Sequence, residues 1–135
     1  MRPGRFQDFA VDVLKNTPGT ARVQTLADAG DTQHPFGLAV ATERGESRWQ
    51  IIGQLPDGGR HDTPDTPVEG TPAPAGEGPR PGDAPEAWLA AAFAAAESPE
   101  VERIERWSTR DDGRPDHIGV TLFFHNSAKI FVRLL

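Results

Sequence analysis

The sequence predicts an α+β fold in which two halves, each a helix followed by three strands (αβββ), form a mainly antiparallel sheet with the helices on one face. Three observations predict it. A Pro/Gly-rich stretch divides the 135 residues into two parts of similar size. Each part begins with an apolar pattern at helical spacing and continues with the alternation typical of strands. We therefore predict one domain, 1–135, with a first half 5–55, an insert 56–84 and a second half 85–135.

The first half begins with an apolar stripe that predicts a short helix ending before Pro18-Gly19. The stripe consists of Phe6, Phe9, Ala10, Val13 and Leu14. Residues 20–27 follow as a weak strand. Two further strands, joined by a turn at 43–46, carry bulky residues at alternate positions: Phe36, Leu38, Val40, Trp49, Ile51 and Leu55. Because the intervening positions of the last strand are largely polar, we expect one face of the sheet to meet solvent.

The insert is predicted to be a disordered loop. Residues 56–85 include eight prolines and six glycines, and Val68 is their only β-branched aliphatic residue. Such a segment buries too little apolar surface to offset the entropy lost on ordering. We therefore expect it to be mobile and to contribute little to stability. Three Thr-Pro steps allow two interpretations, a plain flexible loop or a phosphorylation or partner-docking segment, and they begin at Thr63, Thr66 and Thr71.

The second half repeats the pattern of the first. A capping residue, an early proline and an acidic residue predict the start of its helix, at Asp83, Pro85 and Glu86. An Ala-rich apolar stripe that contains Trp88 and Phe93 follows. Residues 99–107 fit a helix or a strand, and we predict a strand because their apolar residues do not form a strong helical stripe. The last two strands carry Ile118, Val120, Leu122 and Phe124, then Ile130, Val132 and Leu134.

The two halves match at an offset of 82 residues in their helices and middle strands, which suggests a degenerate internal repeat. Their last strands match at an offset of 81, so that the second hairpin is predicted to be one residue shorter than the first. Sequence identity between the halves is poor, and a helix followed by an antiparallel meander is a common order. Duplication and coincidence therefore both stay open, and the predicted fold class is the same in either case.

Composition and charge narrow the possible functions. Twenty acidic and fourteen basic residues give a net charge of −6, which argues against nucleic-acid binding. The absence of cysteine excludes disulfides, thiolate catalysis and cysteine metal sites. No stretch approaches the roughly 18 apolar residues of a membrane span, and Asp8 and Asp12 interrupt any signal-peptide core. We expect a cytoplasmic protein that binds neither nucleic acid nor membrane and holds no metal or cofactor.

The leading functional hypothesis is a non-enzymatic protein–protein interaction module, such as an adaptor, a chaperone or an inhibitor. No nucleophile elbow or phosphate-binding loop is present. The predicted contact surface consists of Phe123, Phe131 and Leu135, which lie opposite the inward rows of the last two strands. A sheet face that meets water rarely carries so much apolar area, so either helices cover both faces of the sheet or a second chain covers one of them. The partner is predicted to be another protein or a second copy in a homodimer.

The alternative hypothesis is a small-molecule-binding domain or an enzyme. Its pocket would lie between helices and sheet, beside Trp107, Asp112, Asp116 and His117. Carboxylate and imidazole groups serve in metal and acid–base sites, although Asp-Asp-Gly is also ordinary turn chemistry. A deep pocket beside His117 would favour this alternative, and a dimer through the sheet would favour the first hypothesis.

Overall fold

The computed structural model describes residues 1–110 and 116–135. Within these ranges two helices and six strands follow the predicted αβββ–αβββ order: α1 Pro3–Lys15, β1 Thr20–Thr25, β2 Gly37–Thr42, β3 Gly45–Gln54, α2 Pro85–Ala95, β4 Val101–Arg106, β5 Gly119–Phe124 and β6 Lys129–Leu134. A single 3-10 turn, Trp107–Thr109, follows β4. The predicted α+β class and the strand within 99–107 are confirmed. No helix in the described ranges is long and apolar enough to cross a membrane.

All six strands belong to one antiparallel sheet with the order β1-β2-β3-β6-β5-β4. Each half of the chain supplies a block of three neighbouring strands. The blocks join at the centre, where β3 pairs with β6. The sheet therefore has β1 at one edge and β4 at the other, and its central strands come from both halves.

The pairing of the strands is nearly symmetric about the Gln50–Arg133 pair at the centre of the sheet. The N–H of Ile51 donates to the carbonyl of Phe36 at 3.0 Å, and the N–H of Leu134 donates to that of Ile118 at 3.1 Å. In these two equivalent bonds the acceptors Phe36 and Ile118 are 82 residues apart, and the donors Ile51 and Leu134 are 83 residues apart. The second hairpin is therefore one residue longer than the first, and the predicted shortening is wrong. A shift of two residues keeps every side chain on its face, so the apolar pattern could not distinguish the two alignments.

Both helices pack on one face of the sheet, called here the inner face. Phe6, Ala10 and Leu14 of α1 and Leu89 and Phe93 of α2 are buried against it. The Phe6 and Phe93 rings meet edge to face with centroids 5.4 Å apart, so the helices of the two halves contact each other. The buried residues of the inner face are Leu38, Val40, Trp49, Ile51, Val101, Val120, Leu122, Phe124, Ile130 and Val132.

The insert makes specific contacts with the rest of the domain. The N–H of Gly70 donates to the carbonyl of Pro99 at 2.8 Å, and the N–H of Ala73 donates to that of Val101 at 2.9 Å. Ala73 is also buried in the main core. The expectation of a segment that buries almost nothing is therefore wrong here, because backbone hydrogen bonds to a sheet edge need little apolar side chain. The mobility of the other insert residues stays a prediction.

Arg5 links the insert to the second half of the chain. Its Nε lies 2.9 Å from Oδ2 of Asp65, and its Nη2 lies 2.8 Å from Oε1 of Glu100. The hydrogen bond from Arg5 lowers the pKa of Asp65 from 3.8 to about 2. Because the folded pKa is depressed, the carboxylate stabilises the fold above its unfolded pKa, and this stabilisation is lost as the pH falls through the folded value.

Asp65→Asn should lower the free energy of unfolding at pH 7 by roughly 1–2 kcal/mol, a range reduced because Arg5 is partly exposed and solvent screens the pair. The difference from wild type should shrink between about pH 4 and pH 2. Urea unfolding across that range measures both effects. Asp62→Asn is the matched control, because Asp62 is an exposed insert residue that should change stability by less than about 0.5 kcal/mol. Equal stability of the Asp65 variant and wild type at pH 7 would show that this contact does not hold the insert.

Candidate functional site

The candidate site is the sheet face opposite the helices, called here the outer face. Successive side chains of a strand point to opposite faces, so the inward row of each strand determines its outward row. In the observed pairing the outward positions are Arg22, Gln24, Gly37, Ala39, Ala41, Glu46, Arg48, Gln50, Ile52, Gln54, Arg103, Glu105, Gly119, Thr121, Phe123, Lys129, Phe131 and Arg133.

An apolar group lies at the centre of the outer face. Phe131 pairs with Ile52 of β3 on one side and with Thr121 of β5 on the other. Ile52 is 39% exposed, and Leu135, which follows β6 in the same alternation, is 47% exposed. The structure thus pairs the predicted Phe131 with Ile52, which the sequence analysis missed, while Leu135 lies on the same face about 13 Å further along the strand. Ile52 is recognisable as an apolar residue in an otherwise polar outward row.

Phe123 lies beside this group but is flanked by two cations. The guanidinium carbon of Arg103 is 3.8 Å from the centroid of the Phe123 ring, and Nζ of Lys129 is 5.4 Å from it. Such contacts contribute about 0.5–1 kcal/mol each at exposed sites. Phe123 and Phe131 are both half-buried, but the Phe123 ring is already engaged by these two cations, whereas the paired Ile52 is exposed.

Basic side chains outnumber acidic ones on the outer face, although the whole chain has a net charge of −6. Five outward positions are basic and two, Glu46 and Glu105, are acidic. The acidic residues pair with Arg48 at 3.1 Å and Arg103 at 3.2 Å. The other basic residues form no ion pair within the described parts of the chain, and they are Arg22, Lys129 and Arg133.

Two large residues at strand ends cover the outer face on either side of its centre. Leu26 follows β1 and lies against Gly37, while Trp107 follows β4 and lies against Gly119. A Cβ atom on Gly119 would lie 2.6 Å from Cε3 of the Trp107 ring, so the close approach requires glycine. The Trp107 Nε1 donates to Oγ1 of Thr121 at 2.8 Å, which satisfies the buried indole. These contacts hold each cover in place.

The structure brings together only part of the predicted ligand site. The ring centroids of Trp107 and His117 are 5.1 Å apart, whereas Asp116, which precedes His117, is exposed to solvent. Asp112 lies outside the described residues. Within the described residues, four clefts of about 140–360 Å³ are lined by other side chains than Trp107, Asp116 and His117. Trp107 serves instead as a cover of the outer face.

A buried carboxylate, Glu86, lies near the start of α2. It accepts hydrogen bonds from the Arg106 Nε at 3.0 Å, from the Ser108 N–H at 3.2 Å and Oγ at 2.5 Å, and from the Gly119 N–H at 3.1 Å. Burial alone would raise its pKa, but these hydrogen bonds together hold the pKa below its usual value. With both oxygens engaged, Glu86 joins the helix to the β4–β5 connection. The predicted cap Asp83 does not cap the helix and accepts the N–H of Arg80 instead.

Across the described ranges no cluster of three or more His, Asp or Glu side chains could hold a metal ion. Comparisons of the chain with protein-family models, with curated proteins and with solved structures find no match. The side chains and their geometry are therefore the basis for any function. Of the features described, the apolar and basic outer face is the one whose composition departs most from that of an ordinary solvated surface.

Proposed function

We propose that this chain is a non-enzymatic protein–protein interaction module of the cytoplasm that binds its partner through the outer face. The observation that carries this proposal is the Ile52–Phe131 pair at the centre of a face opposite the core, with the exposed Leu135 further along the same face. A solvated sheet face normally carries polar side chains. Burying side chains of this size contributes about 1.5–3 kcal/mol each, enough to anchor a specific contact.

The position of this group within the sheet supports binding. Phe131 and Ile52 lie on the two central strands, and each of these strands pairs with a neighbour on both sides. Their backbone is therefore held before a partner arrives. A preorganised surface loses less conformational freedom on binding, and more of the contact energy appears as affinity.

Two of the polar groups that could support catalysis are engaged in the fold. Glu86 has four donors, and Nδ1 of His34 lies 2.9 Å from Oδ2 of Asp31. The hydrogen bond from His34, together with two backbone N–H groups, lowers the pKa of Asp31 to about 2. Glu86 and Asp31 thus accept hydrogen bonds from groups of their own chain and stabilise the fold. This favours a binding role, such as that of an adaptor, a chaperone or an inhibitor, over that of an enzyme.

We further propose that the two halves are an internal duplication. The symmetric register about the Gln50–Arg133 pair supports it. So does the repeated arrangement in which a residue after an edge strand covers the first glycine of the next strand, Leu26 over Gly37 and Trp107 over Gly119. Pro3 and Pro85 begin the two helices, 82 residues apart.

Photo-cross-linking tests the proposed contact surface. A benzoyl-phenylalanine at position 131, irradiated in an extract of the cells that make the protein, should give a discrete adduct. Excess wild-type chain should compete this adduct away, and excess Phe131→Asp should not. The same group at Val68, which is 45% exposed on the insert, is the control and should give no such adduct.

The mass of the adduct decides between the two predicted kinds of partner. An adduct of twice the chain's mass identifies a second copy, and any other discrete mass identifies a different protein. If position 131 gives no adduct that the wild-type chain displaces, the outer face is not a contact surface under these conditions and the proposed function is wrong.

A further inference from the structure

We infer that the partner presents an acidic protein segment with apolar side chains to the outer face, and that this partner is not a second copy of the chain. The inference rests on the proposed function, because it specifies what the same surface binds. It follows from the separation of charge in the fold, from the position of the cations that form no ion pair and from the way Phe123 is covered.

The fold separates the charges of the chain. The outer face has five basic and two acidic outward positions in a chain whose net charge is −6. The negative charge is therefore concentrated on the remaining surfaces. Complementary charge steers a partner to one face and disfavours like-charged partners.

The cations without ion pairs flank the apolar centre. Lys129 and Arg133 lie two residues before and two residues after Phe131 on β6, so each is about 7 Å along the strand from it. No ion pair in the described parts of the chain neutralises either residue. An apolar side chain with a carboxylate on each side would contact Phe131 and both cations at once.

A homodimer through the outer face would place like charges together. A two-fold interface joins the same patch of both copies. The basic side chains around Phe131, including Lys129 and Arg133, would then face the same basic patch of the other copy. Opposed like charges cost association energy, whereas an acidic partner gains it.

A single-stranded nucleic acid is also anionic, but the apolar groups do not suit it. Bases bind proteins by stacking on aromatic rings. The Phe123 ring already has Arg103 over it at 3.8 Å, the exposed residues Ile52 and Leu135 are aliphatic, and Phe131 is a single ring without a second one directly beside it on the paired strands to continue a stack. A nucleic acid would also be repelled by the acidic remainder of the chain. The apolar anchors therefore favour a protein segment.

Fluorescence anisotropy with the full chain tests this inference. The probes are a short labelled peptide that alternates Glu with Leu and Phe, the same peptide with Gln in place of Glu, and a short labelled oligothymidine. The acidic peptide should bind at least about tenfold more tightly than the Gln peptide and the oligothymidine, and its affinity should fall as salt rises.

Charge reversal locates the binding. Lys129→Glu/Arg133→Glu should weaken binding of the acidic peptide at least about tenfold. Lys15→Glu/Arg80→Glu makes the same change in net charge at an exposed lysine of α1 and an exposed arginine of the insert, and it should leave the affinity within about twofold. Circular dichroism confirms that each variant is folded.

Several outcomes would overturn the inference. In the anisotropy experiment they are equal binding of the acidic and Gln peptides, no binding of the acidic peptide, or tighter binding of oligothymidine. Equal effects of the two charge reversals would also overturn it. So would a wild-type dimer in sedimentation that Phe131→Asp dissociates. If Phe131→Asp removes peptide binding and Lys129→Glu/Arg133→Glu does not, the outer face remains a contact surface and only the acidic partner is wrong. If neither variant changes binding and position 131 gives no specific cross-link, the proposed function is wrong as well.

Discussion

Phe6→Ala is expected to lower the free energy of unfolding by about 3–5 kcal/mol. The Phe6 side chain is fully buried, and its ring packs edge to face on Phe93 where the helices of the two halves meet. Truncation leaves a cavity at that junction and removes the aromatic contact. Urea unfolding followed by circular dichroism measures the loss.

Phe9→Ala is the matched control, because Phe9 belongs to the same predicted stripe but is only partly buried. Its ring lies 5.8 Å from that of Phe6, so some packing is lost. We expect a smaller cost, about 1–2 kcal/mol. A larger effect at position 9 than at position 6 would show that α1 presents a different face to the sheet.

Glu86→Ala is expected to cost about 2–4 kcal/mol at neutral pH. The substitution leaves the N–H groups of Ser108 and Gly119 and the Arg106 guanidinium without the acceptor they share in a buried region. Because the pKa of Glu86 is depressed in the fold, this stabilisation is present above the unfolded pKa and is lost in acid. The two proteins should therefore converge in stability as the pH falls below about 4.

Glu102→Ala is the control for this substitution, because Glu102 is an exposed glutamate on the neighbouring strand. It should change the free energy of unfolding by less than about 0.5 kcal/mol. Chemical denaturation at neutral and acidic pH measures both variants. A loss at position 86 no larger than at position 102 would mean that the hydrogen bonds to Glu86 contribute nothing net.

The helices, the strands and their inward faces could be predicted because each depends on local periodicity. The stripe that contains Phe6 and Leu14 has helical spacing, and the row of Val120, Leu122 and Phe124 alternates cleanly. Such patterns persist in the fold because burial of one face drives both elements. The alternation within each strand also assigns Phe131 and Phe123 to the outer face, because it does not depend on how the strands pair.

Long-range pairings could not be predicted from the same patterns. Arg5 and Asp65 are sixty positions apart, and nothing local in either segment indicates the ion pair that joins them. The backbone hydrogen bond from Ala73 to Val101 of β4 involves no distinctive side chain. Glu86 looked like an ordinary residue of a helix start, whereas its partners lie on the connection between two strands.

The excess of basic residues on the outer face could not be predicted from the sequence for a related reason. In the sequence Arg103 and Arg106 alternate with glutamates, so their charges look balanced. In the fold Arg106 turns to Glu86, while Arg103 joins Lys129 and Arg133 from another strand on the outer face. Only the strand order brings these cations to one surface, and the apolar group that they surround becomes a site only in that context.

The central claim is that Phe131 is a contact residue on the outer face and not part of the core. The test is co-sedimentation of the chain with the partner that the cross-link at position 131 identifies. It is measured for wild type, Phe131→Asp and Val132→Asp, with circular dichroism on the same samples. Val132 is fully buried on the inner face of the same strand, so Val132→Asp should unfold the domain. Phe131→Asp should keep the wild-type spectrum, lose the partner and sediment as a monomer. A Phe131 variant that unfolds, or one that folds and still sediments with the partner, would contradict the account.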